Sequence, residues 1–352
     1  MKQRSVTLDH IKGWAILVVV FVHVWRGLHG AGLLGGISED VFWAVSSGST
    51  ILCMPPFFLV SGYLFGQSIE KRRGAQELAS KFDRIFYPYL VWSLLVGLLE
   101  VFGSGYRNGE TELGSLWSIL WEPRSIFWFL YSLFNCYLVT EIVVAAAGVR
   151  VARLILVPIG VGLLLFWSPD RQLPFSLPQF QMSFIYFAIG FLIPRRWLQK
   201  SESVYSALVA VVAALAVVYV AGFEYHVYSL SIRSVSPNLT LVAVLVLLML
   251  TLGMRALPVK RFDWLAELGR RSLDIYLLHL LVIAPIRIVL DKFLGIQSAV
   301  LITLLAFPLG VLLPLIFAQV LREKGFDFLF HPPDLLSAKR WMKKWLGSTA
   351  AR

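Results

Sequence analysis

Two residues near the start of the chain have the types and spacing for proton transfer and anion binding. Lys12 and His23 share the apolar stretch Leu8-Asp9-His10-Ile11-Lys12-Gly13-Trp14-Ala15-Ile16-Leu17-Val18-Val19-Val20-Phe21-Val22-His23. On a helix they are almost three full turns apart, so they fall on nearly one face, about 16 Å apart along the axis. Lysine offers a point charge suited to phosphate, and imidazole is mostly neutral yet still basic near pH 7. If the stretch crosses a bilayer, Lys12 lies at one edge and His23 about halfway through the ~30 Å hydrocarbon layer. A histidine at that depth faces a cavity or a polar partner. The bland alternatives are a snorkelling lysine that anchors the helix end and an imidazole hydrogen-bonded to a neighbouring helix.

The elements that must position these residues are apolar helices. The chain has 352 residues, is 58% hydrophobic and only 15% charged, with mean hydropathy +0.73. A soluble protein of this size needs more polar surface than that. The expected fold class is all-α, a polytopic membrane protein with about ten transmembrane helices. The candidate spans are about 10–28, 49–67, 84–103, 126–146, 151–167, 179–193, 203–222, 238–257, 273–290 and 298–321. The longest external loops are about 26–48 and 104–125.

The net charge of +11 is distributed as a membrane protein requires, so no nucleic acid partner is expected. Most Lys and Arg fall in short connections on the same side as the N-terminus, giving an N-in, C-in topology. Lys12 interrupts any signal-peptide pattern, so the first apolar run is read as a retained span. Residues 1–321 form the transmembrane domain. Residues 322–352 form a cytoplasmic basic tail, whose helix sets Leu335, Ala338, Trp341, Met342, Trp345 and Leu346 against Lys339, Arg340, Lys343 and Lys344. Such a helix lies on an anionic lipid surface. The two cysteines, Cys53 and Cys136, sit in apolar runs without metal-ligand spacing, so no metal is expected.

Other polar or aromatic positions have structural readings of comparable weight. Ser61 and Gly62 suit a close helix contact, and Trp128 and Tyr276 suit packing. His279 suits either a cavity wall opposite His23 or a structural hydrogen bond. Asp9, three residues before Lys12, suits orienting or neutralising it. Asn135 and Glu141 are polar at depth, with no role legible in the sequence.

Several segments together resemble the acyltransferase-3 family of multi-span membrane O-acyltransferases. The first is Leu8-Asp9-x-x-Lys12-Gly13 followed by His23, matching a family opening with a basic residue spaced before an essential histidine. The second is Met54-Pro55-Pro56-Phe57-Phe58-Leu59-Val60-Ser61-Gly62-Tyr63-Leu64-Phe65, and the third is Lys81-Phe82-Asp83-Arg84-Ile85-Phe86-Tyr87-Pro88-Tyr89. Ile126-Phe127-Trp128-Phe129-Leu130 and Leu268-Gly269-x-x-Ser272-Leu273-x-Ile275-Tyr276-Leu277-Leu278-His279 are similar to further family landmarks. Lys12 stands where many relatives have arginine, and Lys81/Arg84 replaces an arginine pair; lysine binds phosphate without a bidentate fork.

The resemblance implies an O-acetyltransferase using cytosolic acetyl-CoA, or another acyl-CoA, as co-substrate. Its acceptor is a hydroxyl of an envelope polysaccharide or other carbohydrate or lipid-linked glycan, and its location is the bacterial inner membrane. His23 is the implied general base. Lys12, Lys81 and Arg84 form an electropositive mouth for the donor phosphates, with Asp9, Ser61, Tyr63, Trp128, Tyr276 and His279 in support. The competing class is a polysaccharide or glycolipid transporter or flippase using the same intramembrane polar residues.

Overall fold

The computed structural model describes residues 6–69, 74–102, 113–166, 173–194 and 262–349, with Leu247 and Thr251 besides. Among the described residues every regular element is a helix. Six helical segments are long and apolar enough to cross a membrane: Val6–Gly30, Glu39–Ser68, Gly74–Val101, Leu116–Leu165, Ser272–Phe293 and Ala299–Glu323. Leu177–Leu192 is apolar but shorter. The predicted spans 203–222 and 238–257 fall outside the described residues, apart from Leu247 and Thr251.

The chain forms two compact units, Met1–Val60 with Ile193–Leu321, and Ser61–Leu192 with Arg322–Arg352. The first contains α1 (Val6–Gly30), the first part of α2 (Glu39–Ser68), and most of α9 (Ala299–Glu323). Between them in sequence come the short helix α7 (Asp263–Arg270) and α8 (Ser272–Ile288). Helix α2 starts earlier than its apolar run, because Ser38 Oγ accepts the Val41 amide and Glu39 and Asp40 occupy its first turn. Both features favour a helix start.

Helix α1 packs along α7 and α8, and two glycines explain how closely. A side chain at Gly13 would collide with the Leu265 carbonyl oxygen, and one at Gly269 with the Asp9 carbonyl oxygen. Each glycine faces the other helix's backbone, so neither position has space for even a methyl group.

The second unit contains the end of α2, then α3 (Gly74–Lys81), a π-turn (Phe82–Phe86) and α4 (Tyr87–Phe102). It continues with α5 (Trp128–Leu165) and α6 (Leu177–Leu192), and ends in α10 (Ala338–Thr349). Residues 74–83, ahead of the expected third span, are therefore helical. The π-turn lets α3 run into α4, so Lys81, Asp83 and Arg84 lie on a continuous helical segment.

The fourth and fifth spans join in α5, broken at Gly148 (φ 79°, ψ 160°). A straight helix of its length would extend roughly 57 Å, well beyond one ~30 Å crossing. Glycine adopts that positive φ without the cost a Cβ brings. Gly62 and Gly66 admit the backbone carbonyls of Phe187 and Phe191 in α6, so Ser61-Gly62 belongs to a close helix contact, as its small-residue reading anticipates.

Candidate active site

The predicted site residues divide between the two units. Asp9, Lys12, His23, Tyr276 and His279 belong to the first; Ser61, Tyr63, Lys81, Arg84 and Trp128 belong to the second.

In the first unit, the early turns of α1 carry an ion pair. Lys12 Nζ lies 2.9 Å from Asp9 Oδ1, and Asp9 is buried. The i, i+3 spacing brings the two side chains onto one face. Helix α7, fixed against this turn by Gly13 and Gly269, ends in Arg270. Arg270 pairs with Glu267 at 2.6 Å and Asp263 at 3.6 Å. The Glu267 hydrogen bond raises its pKa above the ordinary arginine value.

Further along α1, half-buried His23 donates Nδ1–H to the Val19 carbonyl at 2.8 Å. A carbonyl oxygen only accepts, so the proton belongs on Nδ1 and Nε2 keeps its lone pair. His279 repeats the arrangement from α8. Its Nδ1 lies 3.0 Å from the Ile275 carbonyl and 2.9 Å from the Tyr276 carbonyl. Its Nε2 is buried and has no hydrogen-bond partner among the described residues. The two rings meet edge to face, with centroids 4.9 Å apart. His279 is thus a backbone hydrogen-bonder whose ring touches that of His23. Buried Tyr276 completes the cluster, its ring 6.2 Å from that of His279.

Beside His23, α1, α8 and α9 line a partly open cavity of about 90 Å³, with His23, Gly27, Ile283, Arg287, Ile302 and Ala306 among its walls. At the far end of α1, Arg26 donates to Thr50 Oγ1 at 2.9 Å. His29 pairs with Glu39 at 2.9 Å and stacks on Phe42 at 3.6 Å. These contacts hold the end of α1 against the start of α2.

In the second unit, Lys81 is enclosed. Its ammonium lies 3.2 Å from Glu77, 4.9 Å from the centre of the Tyr137 ring and 5.9 Å from that of Phe65. A carboxylate and two aromatic faces already stabilise the charge. Arg84, three residues on, is exposed. Tyr63 is buried, Ser61 is half-buried, and half-buried Trp128 packs against Phe129.

Two polar residues without a sequence-level role acquire one. Asn135 donates to the Phe175 carbonyl at 2.8 Å, where Phe175 and Ser176 both have positive φ. Glu141 sets its carboxylate against Gly74 at the start of α3, where a Cβ would collide with it. A carboxylate there faces the positive end of the helix.

Asp83 lies within the segment Lys81–Tyr89, and its partners come from a stretch far away in sequence. It accepts Ser337 Oγ–H at 2.7 Å and the Ala338 and Lys339 amides at 2.8 and 3.2 Å, which caps the tail helix α10. Trp92 and Tyr87 donate to the Leu329 and Phe328 carbonyls, each at 2.8 Å. Residues 327–330 are thus docked on α4 and helix α10 on α3 and the π-turn, with Ala338 and Met342 half-buried and Trp341 and Trp345 exposed.

Among the described residues, no group of three or more His, Cys, Asp and Glu gathers as a metal site. The fold and these sites define a helical multi-pass membrane protein with paired imidazoles inside one helical unit.

Comparison with known proteins supplies the family. Residues 6–320 match the family model described as Acyltransferase domain. The chain belongs to this acyltransferase-3 family of membrane acyltransferases. It is also similar to the nodulation protein NolL of Sinorhizobium fredii (strain NBRC 101917 / NGR234), 25% identical over 144 residues. That match covers 40% of this chain and only 37% of NolL. No solved structure matches the chain.

Proposed function

We propose that this protein is an inner-membrane O-acyltransferase that moves an acetyl group from cytosolic acetyl-CoA to a hydroxyl of an envelope carbohydrate. Family membership supports acyl transfer. The single observation that carries the choice of His23 over His279, whose Nδ1 is engaged in the same way, is that His23 lines the cavity beside it. The acceptor hydroxyl gives its proton to His23 Nε2 as its oxygen attacks the thioester carbonyl carbon. The tetrahedral intermediate then collapses, the carbon–sulfur bond breaks, and the departing thiolate recovers the proton from the imidazolium. His279 holds the His23 ring through its edge-to-face contact, and Tyr276 backs His279.

Lys12, oriented by Asp9, is the donor-phosphate contact at the cytosolic end of α1. Lys81 and Arg84 are assigned the same kind of contact: Arg84 is exposed, while Lys81 is already engaged by Glu77, Tyr137 and Phe65. Ser61, Tyr63 and Trp128 act as packing residues within the second unit. The tail helix lies on the cytoplasmic lipid surface, with both termini inside.

The test is covalent. Membranes containing the full chain are incubated with radiolabelled acetyl-CoA, and label is followed into the extracted glycan and glycolipid fraction. Label that appears with wild type and not with His23→Ala supports the reading. Equal incorporation with and without the protein overturns it.

A further inference from the structure

We propose that the cavity beside His23 is the acyl-group pocket of the donor, and that it restricts the enzyme to chains of about two to four carbons. This rests on the acyltransferase reading above.

Position comes first. His23 and Gly27, the latter one turn further from Lys12, both line the cavity. A thioester carbonyl held at His23 by a donor whose phosphates lie toward Lys12 therefore directs its acyl carbons into this space. Beside the cavity α9 packs closely on α8 and α1: a side chain at Gly310 would collide with Ile283 and press on Val20.

Size and polarity then decide what fits. At about 90 Å³ the cavity is smaller than the ~150 Å³ engineered cavity that accommodates benzene. It is far below the ~300–1,000 Å³ typical of whole-ligand sites. Its walls include Leu280, Ile283, Ile302 and Ala306, and among the described residues only His23 and Arg287 offer it polar side chains. A sugar ring placed there would leave most hydroxyls without partners, which is costly. A short acyl chain has no such groups to satisfy.

Arg287 sets the limit. Its Cδ and Nε lie 3.8 Å from where a Gly27 side chain would begin, so the guanidinium stem runs beside Gly27 in the cavity wall. A longer chain would push methylenes against a charged group and strip its solvent. The volume itself depends on small residues, since Gly27, Ala284 and Ala306 stand where larger side chains would fill the space.

The test uses the full chain in lipid nanodiscs and measures affinities for CoA, acetyl-CoA, butyryl-CoA and hexanoyl-CoA by competition. Ala306→Leu fills the cavity, and Ile302→Ala and Arg287→Ala enlarge it. Free CoA binding is the internal check on folding. We expect Ala306→Leu to weaken butyryl-CoA relative to CoA by about 10-fold. Ile302→Ala and Arg287→Ala should improve hexanoyl-CoA relative to acetyl-CoA by a similar factor. Should Ala306→Leu misfold, the two enlarging variants carry the test alone. CoA bound normally with an unchanged chain-length profile in every folded variant overturns the pocket and leaves the acyltransferase reading standing. Failure of the wild-type chain to bind CoA or any acyl-CoA overturns that reading itself, and the pocket with it.

Discussion

His23 and His279 meet edge to face at 4.9 Å, and each directs Nδ1 to a carbonyl of its own helix. Two helices from opposite ends of the sequence thus present two basic Nε2 atoms in one neighbourhood. His279 Nε2 is buried without a hydrogen-bond partner among the described residues, an arrangement that costs stability. His279→Phe keeps a ring for the edge contact and removes the unsatisfied nitrogen. Its melting temperature should equal or exceed wild type, while acetyl transfer falls if His279 tunes His23 by more than packing. His279→Ala should lose stability as well, since it leaves a cavity. A destabilised His279→Phe would show that the backbone hydrogen bonds outweigh the orphan atom.

The backbone-to-backbone contact of α1 and α7 makes a sharper stability prediction. Gly13→Ala and Gly269→Ala each place a methyl group on a facing carbonyl, and overpacking of this kind costs about 1–3 kcal/mol. Gly162→Ala is the control: it lies in α5 with nothing within 4 Å of its would-be Cβ. Thermal unfolding in detergent should show the first two lowered and the third unchanged or raised. Equal behaviour of all three would contradict the close approach.

Lys12 is tested through donor affinity. Lys12→Ala should weaken acetyl-CoA binding about 10- to 150-fold, the equivalent of one charge-assisted contact at about 1.5–3 kcal/mol. Lys12→Arg should restore most of it. An unchanged dissociation constant for Lys12→Ala would reduce the residue to an anchor of the helix end.

Asp83 predicts the state of the tail. Asp83→Ala removes acceptors for Ser337 Oγ–H and for the Ala338 and Lys339 amides. Loss of a helix cap costs about 0.5–2 kcal/mol. Trypsin should therefore cut within the Lys339–Lys344 region several-fold faster in the variant than in wild type. Identical cleavage rates would mean that Trp92 and Tyr87, through Leu329 and Phe328, hold the tail without Asp83.

What was legible in the sequence was local. The apolar runs mark the helices, and the Lys12–His23 spacing marks one helix face, because both depend only on the period of a helix. Asp9 pairs with Lys12 for the same reason. The unpredicted features join distant segments or depend on backbone geometry. Gly13 and Gly269 have no local signature that says they touch; only the folded pair shows why neither carries a side chain. The π-turn at Phe82–Phe86 joins the helical residues ahead of the expected third span to its helix, and Gly148 divides an otherwise continuous one. In the tail, periodicity grouped Met342 with Trp341 and Trp345, but docking separates them: Met342 is half-buried on the protein side and both tryptophans are exposed. Lys81 was chosen for its charge, yet Glu77, Tyr137 and Phe65 had already engaged it.

The most direct test of His23 as the general base is acetyl transfer by purified His23→Gln in nanodiscs, measured beside His23→Ala and wild type with acetyl-CoA affinity recorded for each. Glutamine keeps a hydrogen-bonding side chain but cannot accept a proton at neutral pH. If His23 is the base, both variants bind acetyl-CoA nearly as wild type does, and both lose transfer by at least ~10²- to 10⁴-fold. A His23→Gln enzyme that transfers acetyl at near wild-type rate, with His23→Ala impaired, would show that the imidazole supplies only a buried hydrogen bond.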